Sequence, residues 1–373
     1  MALSKIDVAN MLTGATPITN GGTGLTSNVS RPDKSPLLLN GDMAVAQRGT
    51  STTSITSAGY YTCDRFKLNR DGIGTWTVIQ ESLTSGEAYN NGFRKAFRMD
   101  CTSATASPSA DNNLSVIVRV EGQDLQLFKK GTSNAEKFTL AFWVKSNKTG
   151  TSQVNLRDND NTRLISATYT ISSANTWEHK VLNFAADTTG AFDNDNALSL
   201  QIEWFLDSGT DFSSGTAPTA WEASNNADRN ANNLALGNST DNDWAITGVQ
   251  LEVGEYSSTT IPPFQHESFG ENLRRCRRYF FKPTSKYSNA GRSYSMAGLD
   301  MEVTATVDFP TQMRTTPNFA AGTDNFRDDD NNSVSANVSH LSTDGHAYGI
   351  KKTGASNEDY GILFYDQTYD AEL

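Results

Sequence analysis

Cysteine, histidine and long apolar runs are scarce in this 373-residue chain, and each shortage excludes a class of protein. The three cysteines, Cys63, Cys101 and Cys276, are odd in number and widely spaced, so neither a disulfide framework nor a zinc site follows, and we expect free buried thiols. No apolar run approaches the ~18 residues of a membrane span, which predicts no membrane insertion. The first residues contain no long apolar stretch and no clean cleavage site, so we expect no signal peptide.

Basic residues are outnumbered, with 31 Lys and Arg against 42 Asp and Glu and a net charge of −11. Because nucleic-acid binding requires basic surface, this balance argues against a nucleic-acid partner. Hydrophobic residues make up 36% of the chain, below the usual ~45–50% that also counts glycine. Ser, Thr, Asn, Asp and Gly fill the difference, which favours short strands joined by polar turns over helices.

Catalytic motifs are missing as well. The four histidines, His179, His266, His340 and His346, are scattered, and neither Gly-x-Ser-x-Gly nor His-Glu-x-x-His occurs. A glycosidase requires two carboxyls about 5–9 Å apart, and no pair can be placed at that distance from the sequence. We therefore predict that the protein is not an enzyme.

What the sequence does contain is a series of short strand patterns between residues 93 and 253. They are mostly rich in β-branched or aromatic residues, and clusters of Asn, Asp, Gly and Ser bound them. They are Phe93–Cys101, Leu114–Val120, Lys137–Ser146, Leu164–Ile171, Trp177–Phe184, Leu198–Phe205 and Trp244–Val253. This set predicts an all-β fold, a jelly-roll-like β-sandwich of two sheets. The long polar stretch from Asp207 to Asn242 is expected to pack on the sandwich through Trp221.

Composition shifts divide the chain into an arm or linker (1–36), the sandwich (37–265), a junction helix (266–281) and a second, smaller β domain (282–373). The first segment is rich in glycine and cannot fill a core, so we interpret it as an attachment or oligomerisation arm, with a disordered tail as the alternative. Its candidate contact residues are Ile6, Leu12, Ile18, Gly21, Gly22 and Gly24.

A capping-box pattern marks the junction helix, expected from Phe269 to about Tyr279. Ser268 and Glu271 have the spacing that lets each side chain bind the other's backbone N–H. The predicted apolar face comprises Phe269, Leu273, Cys276 and Phe280. Four arginines crowd the end of this helix, and we favour a salt-bridged structural junction over a patch that binds phosphate or lipid A groups, since Glu267 and Glu271 are close by.

Aromatic residues are the candidates for contact with a sugar, because a pyranose ring presents C–H groups on its face. The C-terminal domain is dense in tyrosine, and we predict a receptor-binding surface at Tyr287, Tyr294, Tyr348, Tyr360 and Tyr365. In the sandwich the candidates are Tyr60, Tyr61, Trp76, Trp143, Trp204 and Trp221, although tryptophans in strands are more typical of a core.

Several segments, in this order, resemble tail fibre and receptor-binding proteins of tailed bacteriophages. Residues 16–26, with Gly-Gly-Thr-Gly, are similar to elements near the start of many tail fibres, and Leu38–Met43, Gln47–Thr50 and Tyr61–Phe66 are similar to the opening of a carbohydrate-binding-module-like jelly roll. Asp243–Gly254 with Arg277–Phe280 resembles its closing strand and following helix, and Phe309–Pro317 resembles a terminal β domain. Phe66 departs from the pattern, in which Trp is more usual, and the chain is short for a long fibre, which favours a short fibre or a tip.

The resemblance implies a virion protein of the phage tail, made in the host cytoplasm and assembled as a homotrimer. Its N-terminal arm would attach to other tail proteins, and it would bind a host glycan or outer-membrane protein. No cofactor is implied except a structural calcium at Asn40, Asp42 and Asp243, with ordinary turn residues as the alternative. Asp158, Asp160, Asp193 and Asp195 are further acidic loop residues. A purely structural virion protein (a head fibre or a decoration or connector-associated component) and a tailspike depolymerase remain the competing hypotheses.

Overall fold

The structure, a computed structural model, describes residues 36–283, 287–292, 302–305, 309–320, 325–327, 343, 348–351, 359–364 and 368–373. Two antiparallel sheets form most of it. The six-stranded sheet has the order β1 (Ser51–Ile55), β4 (Thr75–Ser82), β5 (Lys95–Ser103), β13 (Asp243–Val253), β7 (Phe138–Ser146) and β10 (Glu178–Phe184). The seven-stranded sheet has the order β12 (Glu222–Ala223), β9 (Arg163–Ile171), β8 (Gly150–Asp158), β11 (Leu198–Ser208), β6 (Asn113–Glu121), β3 (Lys67–Asp71) and β2 (Gly59–Tyr60).

The predicted all-β, jelly-roll-like sandwich is confirmed. Successive strands pass back and forth between the two sheets, so that one core fills the space between them. On β6, Leu114, Val116, Val118 and Val120 point into this core, as the alternation of a half-buried strand requires. At its centre Phe142 meets the ring of Trp204 edge-on at 5.6 Å. The sequence-based strand list did not include β1 to β4, β8 and β12.

Short helices and turns lie at the edges of the sandwich. They are α1 (Glu87–Asn90), α2 (Thr210–Ser213), α3 (Phe269–Cys276) and the 3₁₀ turns Gly122–Asp124, Gln126–Phe128, Asn226–Asp228 and Leu236–Asn238. Within the described part of the chain, no helix is long and apolar enough to cross a membrane. The three cysteines are free and buried, as expected.

The described part of the C-terminal region consists of small antiparallel sheets. They comprise β14 (Phe280–Phe281), β21 (Thr368–Asp370) and β17 (Asn318–Ala320); β15 (Tyr287–Arg292), β20 (Asp359–Phe364) and β18 (Asn325–Arg327); and β16 (Glu302–Ala305) with β19 (Tyr348–Lys351). Strand β21 pairs with β14, directly after the junction helix. A separate apolar cluster of Phe281, Met313, Tyr369 and Ala371 holds this sheet together.

The junction helix departs from the expectation in two respects. Helix α3 ends at Cys276 rather than near Tyr279, and Phe280 lies in strand β14, because the pairing with β21 extends the backbone there. Phe269 is 60% exposed, so it does not belong to the buried face, which consists of Asn272 and Cys276 with Leu273 half-buried. The Oγ atom of Ser268 accepts a hydrogen bond from the backbone N–H of Glu271 and caps the helix.

Most arginines of the junction lie against carboxylates. Arg274 contacts Glu271 at 2.7 Å and Arg275 contacts Glu267 at 2.6 Å, as expected of a salt-bridged junction. Arg278 reaches across to Glu121 at the end of β6, at 2.8 Å. The ion pair between Arg278 and Glu121 joins the junction to the sandwich.

Asp64 is expected to make the protein less stable as the pH rises from about 4 to about 6. Burial raises the pKa of Asp64 to about 6, although Arg48 and hydrogen bonds from Gln47 oppose this effect. The pKa of the unfolded carboxyl is about 3.9, so between the two pKa values the folded state binds more protons than the unfolded state. The stabilisation present at low pH therefore disappears above the folded pKa.

Integrated over the titration, this effect amounts to about 2 kcal/mol between pH 4.5 and pH 7.5. Urea unfolding of the unaltered protein and of Asp64→Asn at both pH values measures it, because all other groups are common to the two proteins. An identical pH dependence in the two proteins would contradict the prediction.

Candidate functional site

The outer face of the seven-stranded sheet carries polar and charged side chains along its central strands. Side chains alternate along a strand, so the residues between the core positions point away from the core. They include Gln153, Asn155 and Arg157 on β8, Gln201, Glu203 and Phe205 on β11, Ser115, Ile117 and Arg119 on β6, and Lys67 and Asn69 on β3. Several of these polar groups are buried, which is unusual on the solvent side of a sandwich and shows that another segment of the chain covers this part of the sheet.

Glu203 is the charged centre of this face and is fully buried. Arg229 donates to both carboxylate oxygens, from Nη2 to Oε1 at 2.7 Å and from Nε to Oε2 at 3.3 Å. Asn155 and Ser115 donate further hydrogen bonds, at 3.2 and 3.3 Å. Burial opposes ionisation of Glu203, but the positive charges of Arg229 and Arg157 outweigh it and lower the pKa of Glu203. The carboxylate is therefore ionised and held in place.

The covering loop, residues 209–235, lies over one half of the face. Gln153 and Asn155 donate side-chain hydrogen bonds to its backbone, to the carbonyl oxygens of Asp228 at 2.7 Å and Arg229 at 2.8 Å. Phe212 packs on Phe205, with ring centroids 5.6 Å apart. Trp221 is buried in the core, and its Nε1 donates to the carbonyl of Ala185 at 2.8 Å. The loop is held by Trp221 as expected, and also by the buried polar side chains beneath it.

The C-terminal segment, residues 368–373, borders the face at its other end. Arg119 donates through Nη1 to a main-chain oxygen of Leu373, the last residue of the sequence. Arg65, from the turn before β3, forms an ion pair with Glu372. The covering loop and the C-terminal segment thus bound the part of the face that remains.

That remaining part is the polar strip, defined by Lys67, Ile117, Arg119, Arg157 and Gln201. Gln201 is paired in register with Arg157 on one side and with Arg119 on the other, so two strand spacings, about 10 Å, separate the two arginine backbones. The Nε of Arg119 donates to Oε1 of Gln201 at 3.1 Å. Arg157, Arg119 and Lys67 are partly exposed, while Ile117 and Gln201 are buried between them. The strip can present amide and guanidinium groups to a ligand.

The sandwich aromatics proposed as sugar platforms occupy different places. Trp76 and Trp204 are fully buried in the core and Trp221 nearly so. Trp143 lies partly buried on the outer face of the other sheet, where it packs on a second apolar cluster and stacks on His179 at 4.9 Å. Tyr61 hydrogen-bonds to the carbonyl of Ser57. Tyr60 pairs with Lys67 across β2 and β3 and so stands at the edge of the polar strip.

Only part of the predicted tyrosine surface falls on described residues. Tyr287 and Tyr360 lie on the paired strands β15 and β20, and Tyr348 lies on β19 in a separate sheet. Tyr294 and Tyr365 lie outside the described residues, as do the arm residues Ile6, Leu12, Ile18, Gly21, Gly22 and Gly24.

The residues proposed for calcium are not brought together. The backbone next to Asp42 bonds to Val249, six positions along β13 from Asp243, which is roughly 20 Å away at the rise of a strand. The side chain of Asn40 instead bonds to the backbone of Val45 and Asp64, and Asp243 lies 3.4 Å from Arg98. Among the described residues, no group of three or more His, Cys, Asp or Glu could hold a metal ion.

Lys130 is enclosed in an acidic pocket formed by the end of β8 and a following loop. The ammonium group of Lys130 is buried and lies 2.5 Å from Asp158 and 3.1 Å from Asp187. The carbonyl oxygens of Thr189 and Gly190 accept from the same nitrogen, at 3.1 and 2.7 Å. This oxygen-rich pocket resembles a calcium site in its ligand types, but the protein supplies the positive charge itself.

Sequence reasoning did not identify the polar strip. The pattern was available in β11, where Gln201, Glu203 and Asp207 alternate with the core residues Leu200, Ile202 and Leu206. What could not be foreseen is that the polar side of this strand is buried, because the covering loop reaches it from more than twenty positions away.

No family model matches the chain, and no curated protein matches it. Among solved structures, it is similar to the enzymatically active domain of tailspike protein 4 from bacteriophage CBA120, with 13% identity and a TM-score of 0.29 over 54% of this chain and 21% of that one. A putative sugar binding protein from Bacteroides thetaiotaomicron shows 14% identity and a TM-score of 0.30, over 59% of this chain and 100% of that one. A family 11 carbohydrate-binding module from Clostridium thermocellum, in complex with a mixed-linked tetrasaccharide, shows 8% identity and a TM-score of 0.26, over 56% of this chain and 98% of that one. At identities and TM-scores this low, the likeness says nothing about what this chain binds.

Proposed function

We propose that this protein binds a glycan at the polar strip, between the covering loop and the C-terminal segment. The observation that carries the proposal is the row of Arg157, Gln201 and Arg119 in register across three neighbouring strands. Sugars are recognised by planar polar groups that exchange hydrogen bonds with ring hydroxyls, and guanidinium and amide groups have that geometry. Tyr60 at the edge of the strip adds an aromatic side chain.

We further propose that the protein is the host-binding part of a phage tail fibre, which the resemblance of the ordered sequence segments supports. In this proposal the N-terminal arm attaches the protein to the tail, and three chains assemble around one axis. Three weak sites on a shared axis would bind a cell surface far more tightly than one. Light scattering of the purified protein should return about three chain masses, and a value near one chain mass would remove the trimer.

Replacing Gln201 with alanine is expected to weaken glycan binding by about tenfold or more, because the side chain stands between the two arginines and its loss removes hydrogen bonds in a desolvated site. Binding is measured on a glycan array and on host cells, with a fluorescent label on the protein. Trp143→Ala, on the outer face of the other sheet, is the matched control and should bind like the unaltered protein. Loss of binding in Trp143→Ala with full binding in Gln201→Ala would move the site to the six-stranded sheet.

The two competing functions predict different results in experiments with the same purified protein. A purely structural virion protein would show no binding to host cells. A tailspike depolymerase would shorten host polysaccharide on incubation, which size-exclusion chromatography detects. Glu203 is buried and paired with Arg229, so it is not available as one of the two carboxyls that a glycosidase requires.

A further inference from the structure

We propose that the glycan carries an acidic group, and that Arg157, with Arg119 and Lys67 beside it, binds that group. This inference rests on the proposed function, since it names the class of sugar that the polar strip would take. The shared chemistry is an oxyanion on a sugar, either a carboxylate or a phosphate. Its evidence is the charge of the strip, the missing partner of Arg157 and the spacing of the two arginines.

The polar strip is positively charged although the chain as a whole has a net charge of −11. It contains Lys67, Arg119 and Arg157, and Arg229 lies beside it. Glu203 is the carboxylate beneath the covering loop, and Arg229 donates to both of its oxygens. At the other end of the strip Glu372 pairs with Arg65, and Glu372 and Asp370 attract Lys67. Among the described residues Arg157 forms an ion pair with none of these carboxylates, so an anion from outside can bind there.

Arg157 is the least satisfied of these cations. Its Nε is buried without a hydrogen-bond partner, and its guanidinium forms neither a hydrogen bond nor an ion pair with any described residue. Arg98, on the other sheet, shows the usual arrangement, with Glu81, Asp100 and Asp243 all within 3.4 Å. A half-buried guanidinium without a partner is costly to maintain, and a ligand oxyanion would supply the missing acceptors.

The electrostatic surroundings agree with this geometry. Burial lowers the pKa of Arg157, attraction by Glu203 opposes that effect, and repulsion from Arg229 and Arg119 adds to it. Burial and the neighbouring Arg119 likewise lower the pKa of Lys67, against attraction by Glu372 and Asp370. Both cations are thus held in a region that disfavours their charge, and a bound anion would relieve this.

The spacing suits a sugar. About 10 Å between the backbones of Arg157 and Arg119, with Gln201 between them, leaves room for one ring lying across β11. A carboxylate on the ring would meet the fork of Arg157 with two parallel hydrogen bonds, while Gln201 faces the hydroxyls. A lysine at position 157 would keep the charge but lose the fork.

The test uses the full chain and matched pairs of probes. Polygalacturonate is compared with its carboxyl-reduced form, and lipopolysaccharide core oligosaccharide is compared with its dephosphorylated form. Calorimetry measures binding of the unaltered protein, Arg157→Gln and Arg157→Lys, with Arg94→Gln, an exposed arginine directly before strand β5, as a surface control. We expect the unaltered protein to bind one acidic probe at least tenfold more tightly than its neutral counterpart. Arg157→Gln should bind that acidic probe at least tenfold more weakly than the unaltered protein, and Arg157→Lys should have an intermediate affinity. The affinity of Arg94→Gln should be unchanged.

The outcomes separate this inference from the proposed function. Equal binding of acidic and neutral probes, abolished by Gln201→Ala, would leave glycan binding standing and overturn the acidic ligand. The assignment to this strip would be overturned if Arg157→Gln bound the acidic probe as tightly as the unaltered protein, or if Arg94→Gln weakened that binding as much as Arg157→Gln does. Absence of binding to any saccharide on the array would overturn the proposed function, and this inference with it. Thermal unfolding of each variant checks that lost binding is not lost folding.

Discussion

Replacing Glu203 with alanine is expected to destabilise the sandwich by about 3–5 kcal/mol. The carboxylate is fully buried, and Arg229, itself mostly buried, donates to both of its oxygens. Without it, the guanidinium of Arg229 stays beneath the covering loop with no counter-charge, and repulsion between Arg229 and Arg157 is no longer neutralised. The cost is mainly the uncompensated buried charge rather than the loss of the ion pair itself.

Urea unfolding followed by tryptophan fluorescence measures this effect, since Trp76, Trp204 and Trp244 lie in the core. Glu136→Ala is the control, because its ion pair with Lys129 is exposed and should contribute no more than about 1 kcal/mol. The double variant Glu203→Ala with Arg229→Ala should recover part of the loss, since it removes the stranded charge. A Glu203→Ala protein as stable as the control variant would contradict the assigned role of the carboxylate.

Glu372→Ala is expected to cost a similar amount, about 3–5 kcal/mol, and to loosen the C-terminal segment from the sandwich. Its partner Arg65 is buried, donates to the carbonyl of Arg119 at 2.6 Å and lies 3.4 Å from the centre of the Tyr279 ring. Burial disfavours the charge of Arg65, but attraction by Glu372 outweighs this and raises the pKa of Arg65. Without Glu372 the same burial leaves an unpaired cation.

Asp370→Ala is the matched control on the same segment. Its side chain is 41% exposed and contacts Arg48 at 3.1 Å, so screening by water should limit the loss to about 1 kcal/mol. Urea unfolding gives the stability of each variant, and limited proteolysis reports release of the C-terminal region. Equal losses in the two variants would show that burial does not decide the strength of these contacts.

The strands show how much of the fold the local sequence pattern predicts. In β6 and β11 the apolar residues alternate over at least seven positions, so the sequence alone predicts both strands and their core faces. Strand β8 escaped notice because Gln153, Asn155 and Arg157 make it look like a polar loop. Residues 228–230 bury its polar side, and nothing in the sequence near β8 predicts this contact.

For the junction helix, too, the local sequence predicts one end and tertiary contacts decide the other. The capping interaction of Ser268 with Glu271 spans three residues, and the sequence places the start of the helix correctly. The end of the helix and the fate of Phe280 depend on β21, about ninety residues later, which pairs with β14 and draws the chain into a strand. The helical periodicity predicted Phe269 on the buried face, yet that side chain is exposed. The sandwich contacts helix α3 through Asn272 and Cys276 instead.

The candidate site belongs almost wholly to tertiary structure. From the sequence alone came the all-β class, the series of short strands, the acidic overall balance and the capped helix, since each depends on neighbours within about ten residues. Only the folded chain placed Arg157, Gln201 and Arg119 side by side, from strands that lie far apart in sequence. Only the folded chain paired Glu203 with Arg229 and left Arg157 without a partner among the described residues, because burial and charge pairing depend on which distant segments cover a face.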